Sequence, residues 1–83
     1  MRYLARVEVG LKLGHSDPEG ETTQASLADL NYNVKSVKVS KVYEIRLEAS
    51  SIEEAKRQVE EMCRRLLANP AKDNYTYRIE EVG

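Results

Sequence analysis

Eighty-three residues make one small domain, 1–83, and leave no room for a second. Thirteen basic against fourteen acidic residues leave a net charge of −1, with no block of like charge, which excludes the basic surplus that a nucleic-acid partner requires. The single cysteine excludes an internal disulfide, MRYLARVEVG lacks the apolar run of a signal peptide, and nothing approaches the ~18 apolar residues of a membrane span, so a soluble, cytoplasmic protein is expected.

The first element is an alternation. Tyr3, Ala5, Val7, Val9, Leu11 and Leu13 are apolar, with Leu4, Arg6, Glu8, Gly10 and Lys12 between them. Period two over that length predicts a strand with one buried face. In GHSDPEGET, Asp17 before Pro18 is a helix start, with a side-chain cap followed by proline in the first turn. Glu19 and Glu21 favour the positive end of the helix dipole. The helix is expected to run to about Leu30, with a thin inward face of Gly20, Thr23, Leu27 and Leu30, and to end at Asn31–Asn33.

From Val37 to Leu47 the odd positions read Val, Val, Lys, Tyr, Ile, Leu, and the phase survives Ser40-Lys41. A two-residue hairpin there would pair Val37 with Glu44 and bury Glu44 and Arg46, which is costly. No Gly or Asn supplies the positive φ that such a turn needs. One long strand, bent near Lys41, is therefore expected, with a wider hairpin turn as the alternative. Ser51-Ile52-Glu53-Glu54 is a capping box. After it, Ile52, Ala55, Val59, Met62, Cys63, Leu66 and Leu67 share an arc of roughly 140°, interrupted by Lys56. Glu53/Arg57, Glu60/Arg64 and Glu61/Arg65 are spaced for i,i+4 pairs. Pro70 stops this helix. Tyr75, Tyr77 and Ile79 then alternate with Thr76, Arg78 and Glu80 as a closing strand. The order β-α-β(β)-α-β predicts an α+β domain of the split βαβ kind. Its antiparallel-rich sheet is expected to carry both helices on one face.

No catalytic constellation is visible. Cys63 lies mid-helix inside the apolar arc, where a small buried hydrophobe is the expected role. His15, the one histidine, stands 48 residues away in a loop. One Cys and one His do not make a metal site. The loop GHSDPEG runs into a helix start, as phosphate loops do. Here Asp17, Glu19 and Glu21 set three full negative charges against the roughly half positive charge of the helix end, and phosphate loses that comparison. No catalytic, cofactor-binding or metal-binding residue is expected in this chain.

Two stretches are more specific. Glu60–Tyr75, EEMCRRLLANPAKDNY, closely resembles the run EMC.KLLANPVIEDY of the PurS family, the small subunit of phosphoribosylformylglycinamidine (FGAM) synthase. Leu11–Thr22, LKLGHSDPEGET, is similar to that family's LKPGVLDPEG.T. Between them VKSVKVSKVYEIRLE, Val34–Glu48, lies where the family has a strand. Leu13, His15, Ser40 and the pair Ala71-Lys72 depart from the family pattern. The resemblance implies a subunit without catalytic residues of its own. It would bridge the large ATP-dependent synthetase subunit and the glutaminase subunit in converting formylglycinamide ribonucleotide (FGAR) to FGAM. The complex would use ATP, Mg²⁺ and glutamine, and this subunit would form a homodimer or homotetramer. An adaptor acts through its surface, and the expected residues are Lys12, Gly14, Asp17, Pro18, Gly20, Asn69, Pro70 and Tyr75. The alternative is a ferredoxin-like regulatory domain that binds an amino acid or nucleotide between protomers, supported by Gly10 and Gly14 near a strand end.

Overall fold

A computed structural model of the chain describes residues 1–83. Three strands, β1 (Arg2–Leu11), β2 (Lys41–Glu48) and β3 (Asp73–Val82), form one sheet in the order β2-β1-β3. Both pairings are antiparallel, so β1 is the central strand and the other two are edges. Helix α1 (Pro18–Asp29) lies between β1 and β2, and α2 (Ile52–Met62) between β2 and β3. Because β2 and β3 run parallel on either side of β1, the chain must cross β1 to join them, and α2 makes that crossing.

The core follows from the period-two pattern. Tyr3, Ala5, Val7 and Val9 point to one side of the sheet and are buried. Tyr43, Ile45 and Leu47 on β2, and Tyr75, Tyr77 and Ile79 on β3, flank them on the same side. Ala55, Val59, Cys63 and Ala68 close that face from above. Full burial of a side chain the size of Val7 or Val59 contributes about 1.5–3 kcal/mol. The opposite face carries Arg6, Glu8, Glu44, Arg46, Arg78 and Glu80 in water. There Arg6 lies opposite Arg78 across the strands, and its guanidinium pairs with Glu44 at 2.6 Å instead.

Helix α2 starts as expected. The Ser51 hydroxyl accepts the Glu54 amide at 3.1 Å. The Glu54 carboxylate accepts from Arg57 and Gln58, so the expected Glu53/Arg57 pair gives way to Glu54–Arg57 and Arg57–Glu61. Those hydrogen bonds, Arg57 first, hold the Glu54 carboxyl down at about 2. Beyond Met62 the helix widens into a π-helical turn, Cys63–Leu67, and the Ala68 amide donates to the Cys63 carbonyl five residues back at 3.0 Å. The extra residue rephases the apolar arc. Leu66, expected inside, is 82% exposed, and Ala68 takes a buried place.

Three further expectations are corrected. Strand β1 ends at Leu11 opposite Asp73, and Leu13 is 87% exposed in the turn that follows; without a partner strand the alternation has no face to bury. The long strand from Val37 is paired only from Lys41, opposite Val9, although β1 itself runs on to Leu11; the Val39 amide is taken by the Asp17 carboxylate instead. No hairpin forms at Ser40-Lys41. Finally, α2 alone covers the sheet. Gly20 is the one buried residue of α1, and Leu30 is 66% exposed. With so little apolar surface, α1 cannot displace water from the sheet. It packs instead on the segment that follows it.

That packing is specific. The Asp17 carboxylate accepts the Gly20 amide with one oxygen and the Val39 amide with the other, both at 2.9 Å. The bond from Val39, then that from Gly20, lowers the Asp17 pKa. Gln24 donates to the Lys35 carbonyl at 3.2 Å. The helix closes with Asn31 at φ 71, where the Asn31 and Tyr32 amides return to Ala28 and Leu27, the Schellman arrangement. Residues 12–40 thus form a self-braced arm. The molecule measures 51 × 29 × 14 Å. A ten-residue strand of about 33 Å and a twelve-residue helix of about 18 Å, laid end to end, span its long axis.

A Cβ on Gly20 would stand 2.4 Å from the Val37 carbonyl oxygen. Gly20→Ala is expected to weaken the arm, because overpacking of about 1–3 kcal/mol exceeds the ~1 kcal/mol that alanine gains in helix propensity. Amide exchange across α1 measures this, with a rise of roughly 5-fold or more for each 1 kcal/mol lost. Unchanged exchange would show that Val37 yields freely.

Candidate functional site

The loops at one end of the sheet come together as a built surface. After β1 ends, the Lys12 amide donates to the Lys72 carbonyl at 2.7 Å, and its ammonium donates to the Pro70 carbonyl at 2.9 Å. The opposing loop is braced within itself. Asn69 accepts the Ala71 amide through its side chain at 2.9 Å, and the Asp73 carboxylate accepts the Asn69 amide at 2.8 Å. Lys12, Asn69 and Pro70 therefore form one rigid end. Gly14 lies in the exposed turn next to it at φ 87, a conformation that glycine adopts without strain. Leu13 and Leu66, the two most exposed large apolar residues, lie on this turn and on the π-helical turn leading to Asn69. Sequence periodicity had assigned both to the interior. A widened helix turn leaves no signature in an apolar pattern.

The other expected residues have structural work. Asp17 and Gly20 join α1 to the segment around Val37–Val39. Pro18 opens the helix and is exposed. Tyr75 faces α2, where Glu60 of that helix receives two phenols. Tyr75 Oη donates to Glu60 Oε2, and Tyr77 Oη donates to Oε1 at 3.1 Å. Arg64 Nε is 3.7 Å from the same carboxylate. The bond to Glu60 leads in raising the Tyr75 pKa, whereas burial leads for Tyr77. Glu60 thus ties the carboxyl-terminal half of α2 to β3, and nothing in the spacing of the sequence indicated it.

Cys63 is fully buried, and burial raises its thiol pKa, with Glu60 adding to the effect. That is the reverse of what a nucleophilic thiol needs. His15 is exposed in the turn of Gly14 and does not meet it. The glycines that favoured a ligand site have local explanations. The Ser40 hydroxyl lies 3.0 Å from where a Gly10 Cβ would stand, and Gly14 shapes a turn.

Comparison with known proteins decides the kinship. The family model for PurS, phosphoribosylformylglycinamidine (FGAM) synthase, matches residues 4–81. The chain belongs to the PurS family. It is 42% identical to the PurS subunit of Methanocaldococcus jannaschii over 81 residues, covering 96% of this chain and 98% of that one. It is 38% identical to the subunit of Bacillus subtilis, covering 96% and 95%. The PurS structure from Thermus thermophilus superposes with a TM-score of 0.90 at 36% identity over the whole of both chains. A chain of the PurLQS structure from Thermotoga maritima does so at 0.87 and 27% identity, covering 96% and 99%.

Glu60→Gln removes the charge that the two phenols share. In an ultraviolet titration Tyr75 is expected to ionise at lower pH in the variant, since its leading cause of elevation is that carboxylate. An unchanged titration would place the elevation in burial alone.

Proposed function

We propose that this PurS-family chain is the non-catalytic small subunit of FGAM synthase. It bridges the ATP-dependent synthetase subunit and the glutaminase subunit for the conversion of FGAR to FGAM in purine biosynthesis. The observation that carries this reading is the match along residues 4–81, together with the full-length likeness to a chain of PurLQS. ATP, Mg²⁺ and glutamine are then handled by the partner subunits. The chain works in the cytoplasm as a homo-oligomer. No helix of the chain is long and apolar enough to cross a membrane.

The surface chemistry suits an adaptor. The end built from Lys12, Asn69 and Pro70 is held by hydrogen bonds, so it loses little entropy on docking. It presents Leu13 and Leu66 beside Arg64, Arg65 and Lys72, which are also exposed. Apolar anchors with a charged rim are the common make-up of a heteromeric contact.

Reconstitution tests the reading. Glutamine-dependent FGAM formation by the synthetase and glutaminase subunits of the same source is expected to require this chain, as is their co-elution. Cys63→Ser is expected to support full activity at a cost of about 1–2 kcal/mol of stability. Partners that assemble and turn over equally well without the chain would overturn the bridging role. A folded but inactive Cys63→Ser would overturn the non-catalytic one.

A further inference from the structure

The end of the molecule built from the turn after β1 and the loop before β3 carries charge of one sign. Between Glu8 and Asp17, and again between Glu61 and Asp73, the sequence has no carboxylate. Those two stretches hold Lys12, Arg64, Arg65 and Lys72, four full positive charges in a chain of net charge −1, together with the one histidine. The fold draws the two stretches to one place, because the Lys12 amide donates to the Lys72 carbonyl and its ammonium to the Pro70 carbonyl. The nearest acids are aimed elsewhere. Asp17 accepts the Gly20 and Val39 amides, and Asp73 accepts the Asn69 amide. Glu61 pairs with Arg57 at 2.7 Å and Glu60 accepts two phenols, which leaves Arg65 and Arg64 at 3.6 and 3.7 Å from carboxylates already in use. Both arginines are exposed, so these long contacts neutralise little. The dipole of α2 favours arginine in a last turn. It accounts for neither lysine, nor for Leu13 at 87% and Leu66 at 82% exposure on the same two stretches.

We propose that this end docks a protein partner whose surface is acidic around an apolar seat. It deepens the bridging role proposed above, on which it rests, by giving the chemistry of one partner face. Charge and apolarity together choose the occupant. Two exposed leucines gain only from an apolar surface that excludes water, which a phosphate or a polynucleotide backbone does not offer. The helix end that lies here is the carbonyl end, which repels an anion where an amino end would hold one. A second copy fits no better. A two-fold contact sets each patch against itself, and Arg64, Arg65 and Lys72 would then face their like. A partner with acidic residues around a hollow for Leu13 or Leu66 meets both demands. Such charge pairing steers the encounter and fixes register, while a buried leucine slows dissociation.

The test measures binding of the purified chain to the synthetase and glutaminase subunits, separately and together, in rising salt. Wild-type affinity is expected to fall several-fold between about 0.05 and 0.5 M salt. Arg65→Glu with Lys72→Glu is expected to weaken binding by about 10-fold or more, and Leu13→Ser with Leu66→Ser by about 10-fold. All four side chains are exposed, where substitution leaves the fold intact. Arg2→Glu with Arg46→Glu makes the same change in net charge at the opposite end of the sheet and is expected to bind as the wild type does. Undiminished binding by the Arg65/Lys72 or the Leu13/Leu66 variant, or an equal loss in the Arg2/Arg46 variant, would overturn the proposal. So would a change in the mass of the chain alone on the Arg65/Lys72 reversal, read by sedimentation equilibrium, which would give this end to a second copy. Binding of an oligonucleotide by the wild type that the same reversal abolishes would give it to a polyanion instead. A wild-type chain that binds neither subunit would sink the bridging role as well, whereas binding that survives both reversal and leucine removal would sink this assignment alone.

Discussion

The burial of one sheet face beneath a single helix organises everything else in this chain. β1 contributes Tyr3, Ala5, Val7 and Val9 to that face, and it is the only strand with neighbours on both sides. β2 and β3 run parallel on either side of it, so the connection between them must cross over β1. The capped helix α2 makes that crossing and seats Ala55, Val59 and Cys63 on the β1 side chains. Small residues at those positions let the helix approach closely, which explains why a cysteine fits there as well as an alanine. The thiol is shielded, its ionisation is disfavoured, and Cys63 is part of the packing, as its place in the apolar arc led us to expect.

Crossing leaves one face used and one helix unused. The far side of the sheet is charged and hydrated. α1 has too little apolar surface to form a second cover, so it is braced against its own following segment. Asp17 makes that brace by spending one oxygen on the helix start and the other on Val39. Gly20 allows it by bringing backbone against backbone. The result is a long, thin molecule whose arm and loop end are rigid but little buried. A shape of that kind puts its information on the outside. An isolated helix of twelve residues is marginal in water, so α1 depends on this bracing.

The π-helical turn is the second place where local geometry sets what the surface presents. By inserting one residue at Cys63–Leu67, it holds Cys63 and Ala68 inward and leaves Leu66 exposed to solvent. A regular helix would have buried Leu66. Glu60, one turn earlier, ties the end of α2 to β3 through the phenols of Tyr75 and Tyr77.

The sequence alone determined the elements whose signals are local. Alternation marked β1 and β3, the Asp17-Pro18 and Ser51–Glu54 caps marked both helix starts, and Pro70 marked the end of the second helix. The buried state of Cys63 was legible from its place in the apolar arc, and the family was legible from EEMCRRLLANPAKDNY and LKLGHSDPEGET. Tertiary structure decided what depends on partners in space. Leu13 falls outside the sheet because β3 begins only at Asp73, opposite Leu11. Residues 37–40 keep a strand's pattern, but pairing with β1 begins only at Lys41, because the Val39 amide is taken by Asp17. Leu66 faces water because a hydrogen bond reaches back five residues. α1 stands off the sheet because one helix already covers the only apolar face. Periodicity states which side of a segment is apolar. Whether another segment is there to cover it is settled only when the chain is folded.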